Sequence, residues 1–213
     1  MRQTQTSVST YGECREYVSR RLLDPFVMVD FDPRTATDAM AFLVKHAGGS
    51  LNYTAGLKIL YFAERESLLK YGWTITGGTP CAMRNGLLTS EVYKLIKNEW
   101  PSRRWTAHLK TVGFHLELLR ESSYDYISEA DEEILFDQWS RHKDKCVKLD
   151  DRPDALICES HKLPEWVNPG RSRELIPHRR ILELEHVPNE IILAYAREAE
   201  AARAFPRCRS WED

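Results

Sequence analysis

The chain has 213 residues, a formal net charge of −2, and 42% hydrophobic against 29% charged residues. That length buries a core without disulfides or metals, and the composition excludes a disordered chain. No run approaches the roughly 20 apolar residues of a spanning helix, and the near-neutral charge gives no global pull toward nucleic acid or membrane.

The five cysteines, Cys14, Cys81, Cys146, Cys158 and Cys208, are odd in number and lack a CxxC spacing. This argues against a disulfide framework or zinc site and for a reducing cytoplasm. The first residues, MRQTQTSVSTYGEC, have no apolar run behind their basic residue and do not read as a secretory signal. A short basic helix is expected over 13–23. FVMVDF, between Pro25 and Pro33, reads as a short extended segment; Met28 lies inside it, and the leader before it reads as an extension. DAMAFLVKHAGG is a helix stopped at Gly48 and Gly49, with Thr37 or Asp38 as its N-cap. In NYTAGLKILYFAERESLLKYG, Leu57, Leu60, Tyr61, Glu64, Leu68 and Tyr71 recur at helical spacing. Glu66 and Lys70 add an i,i+4 pair, and Gly72 is the expected stop.

The stretch YGWTITGGTPCAMRNGLLTSEVY (71–93) follows. TITGG and PCAM read as two extended pieces around a turn at Gly77 and Gly78. Ser90 is expected to cap SEVYKLIKNEW, with Val92, Leu95, Ile96 and Trp100 inward and Pro101 as its end. Over 105–119, Trp105, Leu109, Val112, Leu116 and Leu119 keep helical spacing, whereas FHLEL alternates; a strand is favoured for 114–119. ISEADEEILFDQWSRHKDKC is a helix with a Ser128–Asp131 capping box. CESHKLPEWVNPG reads as a helix end broken at Pro164, HRRILELE as a short helical or extended piece, and Pro188 as the opening of a last, Ala-rich helix. The tail from Pro206 is expected to fray.

Few residues suggest chemistry. TGGTP lacks the lysine and spacing of a P-loop, so Gly77 and Gly78 read as turn residues. His161 and Glu165 are four apart, but Pro164 interrupts the helical face that would pair them; a capping or hydrogen-bonding histidine is the simpler reading. His108 and His115 have no third ligand nearby. Asp131, Glu132 and Glu133 fall in a helix's first turn, where the dipole accounts for them. There is no GxSxG elbow and no cysteine nucleophile signature. Arg171, Arg173, Arg179 and Arg180, with Arg103 and Arg104, read as a solvated face or as cations for an acidic surface. Trp73, Trp105 and Trp166 fall in predicted loops, where a tryptophan is either an interface anchor or folded back on the core.

The order of these segments resembles the Panacea domain, the SocA-like antitoxin family. The resemblance is carried by FDPRTATDAMAFLVKHAGGSLNYTAGLKILYFAERESLLKYGWTITGG. It continues in AMRNGLLTSEVYKLI, ISEADEEILFDQW, and SHKLPEWVNPG with IPHRRIL behind it. The family's K-x-LLYLADR helix, PITGD and GPV-x-S correspond to Lys58–Arg65, Thr74–Gly78 and Gly86–Ser90. The chain departs from that pattern at Gly78, where the family's acid is missing, and at Leu87 and Leu88; of these, Gly78 and Leu87 are expected to bear on partner choice. Lys58, Tyr61, Glu64, Arg65, Gly72, Gly77, Gly86 and Ser90 correspond to motif positions and are expected to be structural.

The resemblance implies a mainly α fold with a small antiparallel β-sheet (α+β), with 31–205 as the domain, 1–30 as an extension and 206–213 as a tail. It also implies a non-enzymatic cytoplasmic antitoxin that binds a cognate protein toxin encoded by the adjacent gene. The alternatives are an adaptor delivering the toxin to an AAA+ protease and, less favoured, a small hydrolase using His161 and Glu165. No cofactor, metal, nucleic acid or membrane is expected. The candidate partner-binding residues are Trp73, Arg84, Asn85, His161, Glu165 and Trp166, with residues 1–27 as a rival specificity element.

Overall fold

The computed structural model describes residues 30–146 and 153–204. The expected helix at 13–23, most of the extended segment before Phe31, Cys14, Cys208 and the tail from Pro206 lie outside the described residues.

Helix α1 spans Pro33–His46. Asp32 caps it by accepting from the Arg34 N–H at 2.9 Å, and Pro33 takes the first helical position, where its missing N–H costs nothing. The cap expected at Thr37 or Asp38 is therefore displaced by Asp32. Thr37 instead bonds the Pro33 carbonyl at 2.6 Å. Asp38 is buried and accepts from Arg104 and Ser122, each at 2.7 Å, and from the Tyr126 N–H at 3.1 Å.

After a left-handed turn at Gly48 and Gly49, β1 (Ser50–Asn52) leads into α2 (Tyr53–Tyr71). Asn52 caps α2 through the Thr54 and Ala55 N–H groups at 2.9 and 3.3 Å. Gly72 closes it at φ 81°; a Cβ there would stand 2.4 Å from the Tyr195 ring, so left-handed backbone and close packing both call for glycine.

The remaining elements are β2 (Pro80–Met83), β3 (Gly86–Thr89), α3 (Ser90–Ile96), α4 (Arg103–His108), β4 (Leu109–Val112), β5 (His115–Leu118), α5 (Glu129–Cys146), α6 (Asp154–Ser160), β6 (Glu174–Leu175), α7 (His178–Leu184) and α8 (Asn189–Ala204). The fold is α+β, and among the described residues there are two three-stranded antiparallel sheets, ordered β1-β5-β4 and β3-β2-β6, where one was expected. Helix α2 runs through the middle. One of its faces packs with α1 and α5 around Met40, Leu43, Ile59, Leu60, Leu135 and Trp139. The other meets Ala82, Leu87, Ile181 and Ile192 through Tyr61 and Leu68.

Several local expectations shift. PCAM is β2, but its hairpin partner is GLLT, joined through Arg84 and Asn85 with Met83 opposite Gly86; TITGG is not a strand. Thr76 is held there by Glu64 and by the N–H of Asp32, which donates to its carbonyl at 3.0 Å. The helix after Thr89 stops at Ile96, short of Trp100. Residues 105–119 divide into α4 and a β4–β5 hairpin, so Trp105 lies in a helix, 2% exposed. Helix α6 ends at Ser160, with His161 at its C-cap, before Pro164 is reached. The capping box forms as expected: Ser128 N–H donates to Asp131 at 2.9 Å, and Asp131 N–H to Ser128 Oγ at 3.2 Å.

A hairpin turn bolted to the His161–Trp166 segment

Helix α2 supplies the inner wall of the candidate site. Lys58, Tyr61 and Arg65 fall at i, i+3 and i+7, which places them along one helical face. That face meets β3, the end of α6 and the loop after it. Lys58 is 1% exposed and donates to the Leu87 carbonyl at 2.5 Å. Burial brings its pKa down to about 7, because desolvation penalises the ammonium form. Tyr61 donates to Glu165 Oε1 at 2.8 Å, and Arg65 Nε reaches the same oxygen at 2.8 Å. Arg65 also pairs with Glu185. Burial, then the Glu165 charge, holds the Tyr61 hydroxyl well above its ordinary pKa.

Gly86 marks where α2, β3 and α6 meet. Its φ is +89°, and a Cβ on it would lie 1.9 Å from Ser160 Oγ and 3.2 Å from Lys58 Nζ. The motif lysine and the motif glycine are thus two sides of one close approach.

The structure brings five of the six candidate residues together. Trp166 Nε1 donates to the Met83 carbonyl at 3.2 Å, and the His161 ring stacks on Trp166 with centroids 3.8 Å apart. Burial and the neighbouring Lys58 charge lower the His161 pKa, outweighing the opposing effect of the Arg84 backbone. Arg84 and Asn85 are exposed at the β2–β3 turn. Glu165 is buried, its side chain 0% exposed, so it holds the 161–166 segment onto α2 from below. His161 and Glu165 do not pair with each other: the histidine faces Trp166 and the hairpin, while the carboxylate faces Tyr61 and Arg65. Glu165 Oε2 and His161 Nε2 are buried without a hydrogen-bond partner among the described residues.

Trp73 stands apart. It is 41% exposed, stacked on Tyr71, beyond the C-terminus of α2. At 1.5 Å rise per residue that end lies about 20 Å from Lys58 along the helix.

The two departures singled out for partner choice are interior. Leu87 is 0% exposed, and Gly78 is buried, with a would-be Cβ 2.2 Å from the Thr89 methyl and 3.2 Å from Glu91 Oε2. Glu91, 2% exposed, accepts from Thr79 N–H at 2.7 Å and Thr79 Oγ1 at 3.0 Å. A carboxylate already organises the turn, and an acid at Gly78 would be pressed against it. Glu64 does the same three residues earlier for Thr76; its burial raises the carboxyl pKa to about 7.

Sequence reasoning missed Ser160 as a neighbour of the hairpin. Pairing Gly86 with Lys58 as motif residues was the only signal for that junction. Among the described residues no group of three or more His, Cys, Asp or Glu side chains could hold a metal, and no helix is long and apolar enough to cross a membrane. A surface cleft of about 450 Å³ lies on another face, between His46, His115, Trp139 and Lys143.

Residues 57–167, a little over half of the chain, match the family described as antitoxin SocA-like, Panacea domain. No curated protein and no solved structure matches the chain.

Proposed function

Because the chain belongs to the antitoxin SocA-like, Panacea domain family, we propose that it is an antitoxin that neutralises a cognate protein toxin by direct binding in the cytoplasm. Neutralisation is steric, with no reaction catalysed, and the toxin is the product of the adjacent gene. The observation that carries this reading is the family match itself, which spans α2 from Leu57 onward, the β2–β3 hairpin and the 161–166 segment. The surface that serves it is the one where Arg84 and Asn85 are exposed above the His161–Trp166 stack. Trp73 is the second contact, at the far end of α2. Glu165 acts from beneath, fixing the segment that carries His161 and Trp166.

Co-expression with the adjacent gene product tests the function. The protein protects cells from a neighbour that kills when expressed alone. A neighbour that is harmless alone, or that still kills, sinks the reading. Toxin abundance separates the two antitoxin mechanisms: sequestration leaves it unchanged or raised, whereas an adaptor lowers it in a way that a protease-deficient host reverses. Arg84→Glu and Trp73→Ala each weaken toxin capture without unfolding the chain, and unchanged capture in both would remove this face from the proposal.

A further inference from the structure

We propose that the surface made by the β2–β3 turn and the exposed parts of residues 162–173 docks an acidic stretch of the partner protein. That the partner is a toxin rests on the antitoxin reading; the chemistry of the surface does not.

Three separate segments bring cations to one place. Arg84 is exposed at the turn. Strand β6 pairs with β2 so that Glu174 lies opposite Ala82 and Leu175 opposite Cys81. The exposed Arg173, one residue earlier, therefore runs beside Met83 and the turn. The Trp166–Met83 bond fixes the third segment, with exposed Lys162 before it and exposed Arg171 after it.

What sets these cations apart is their convergence on one surface, where they are also unpaired among the described residues. Arg65, Arg104, Lys145 and Arg179 each pair with a carboxylate: Glu165, Asp38, Glu159 and Glu183. Arg84, Lys162, Arg171 and Arg173 form no ion pair among the described residues. The acids within 161–174 are Glu165, buried beneath Tyr61 and Arg65, and Glu174, which is exposed. In a chain of net charge −2, this leaves a locally cationic surface.

The ground under it is rigid. The hairpin is hydrogen-bonded into a sheet, and the facing loop is bolted to it and to α2. Arginines held on such a frame suit bidentate carboxylate recognition. Val167, 65% exposed, adds an apolar contact within the patch, the mixture expected of a protein interface. A single-stranded nucleic acid would call for an aromatic platform. The aromatic present, Trp166, is committed to the His161 stack and to Met83.

The test uses a fluorescein-labelled polyglutamate peptide, a polylysine counterpart and an oligothymidylate, each titrated by anisotropy. The expected result is salt-sensitive binding of polyglutamate alone. The Arg84→Glu/Arg173→Glu double variant loses at least about tenfold in affinity, Lys162→Glu/Arg171→Glu behaves alike, and Lys110→Glu on the other sheet changes nothing. Undiminished polyglutamate binding in both double variants, or binding of oligothymidylate in preference to the peptide, overturns the proposal. A second arm uses the adjacent gene product. Full protection of cells by both double variants overturns the surface assignment and leaves the antitoxin reading standing. Charge-dependent peptide binding without any protection overturns the antitoxin reading and leaves the surface.

Discussion

The Tyr61 hydroxyl donates to Glu165 Oε1 at 2.8 Å across 104 positions of sequence, and Arg65 meets the same oxygen. Two residues of the central helix thereby hold the loop that carries His161 and Trp166, and through Trp166 the end of the hairpin. The candidate partner surface is the outer side of a buried polar lock.

That lock predicts an order of stability losses. Glu165→Ala strands the Tyr61 hydroxyl and one bond of the Arg65 guanidinium in a buried setting, which costs about 3 kcal/mol. For a chain of this size that lowers the melting temperature by roughly 6–12 °C. Tyr61→Phe removes one bond and costs about 1 kcal/mol. Thermal melts of both variants check the ranking; equal or negligible losses would show that the lock contributes nothing to the fold.

The pH dependence follows from two other buried groups on α2. Glu64 titrates near 7 in the folded chain against an ordinary 4.5, chiefly through burial. Between about pH 4.5 and 7 the folded state holds a proton the unfolded state has lost, so this group's contribution falls as pH rises. Lys58 titrates near 7 against an ordinary 10.5, again through burial. Between about pH 7 and 10.5 the unfolded state holds the extra proton, so stability rises with pH. Together the two groups place a minimum near neutrality. Urea midpoints at about pH 5, 7 and 9 measure it. Glu64→Gln removes the acid-side fall, and Lys58→Met removes the alkaline rise. A variant whose profile parallels the parent's would refute the assignment for that group.

Gly86→Ala is expected to be among the most damaging substitutions in the hairpin. It places a side chain at positive φ and drives its Cβ to 1.9 Å from Ser160 Oγ, a loss of at least about 2 kcal/mol. Ser160→Ala in the same background relieves the clash with the hydroxyl and leaves the backbone strain, so rescue is partial. Complete rescue would mean that φ carries no cost, and no rescue that the contact is not the cause. Denaturant titration of the two variants and the parent decides between these outcomes.

What could be read from the chain alone followed the physics of each signal. The face of α2, the Gly72 stop and the Ser128–Asp131 box depend on neighbours in sequence, and they appear where spacing puts them. The Asp32 cap was missed because Thr37 and Asp38 offered equally good capping chemistry, and Asp38 is held instead by Arg104 and Ser122, far along the chain. The hairpin was shifted because two glycines at 77 and 78 advertise a turn more loudly than Arg84 and Asn85 do. Burial of Glu165 was illegible: nothing near Pro164 announces that Tyr61 and Arg65 wait a hundred residues upstream. Strands as short as β1 and β6 carry too few residues for alternation to show.

Gly78 supplies the sharpest test of how tightly the Thr76–Thr79 turn is packed. Its backbone has no positive φ, so alanine there is opposed by space alone: the new Cβ would meet Thr89 Cγ2 at 2.2 Å. Gly78→Ala should cost about 1–3 kcal/mol, the range of overpacking. Thr89→Ser deletes the offending methyl and should recover most of that loss when combined with it, giving a coupling energy of at least about 1 kcal/mol in a double-mutant cycle. Gly78→Asp should remain destabilised even with Thr89→Ser, because the added carboxylate faces Glu91 Oε2 and two like charges cannot both stay ionised there. Adding Glu91→Gln should then restore part of the stability. An additive cycle would show that Thr89 is not the obstacle, and a Gly78→Asp variant indifferent to Glu91→Gln would show that Glu91 does not oppose an acid at this position.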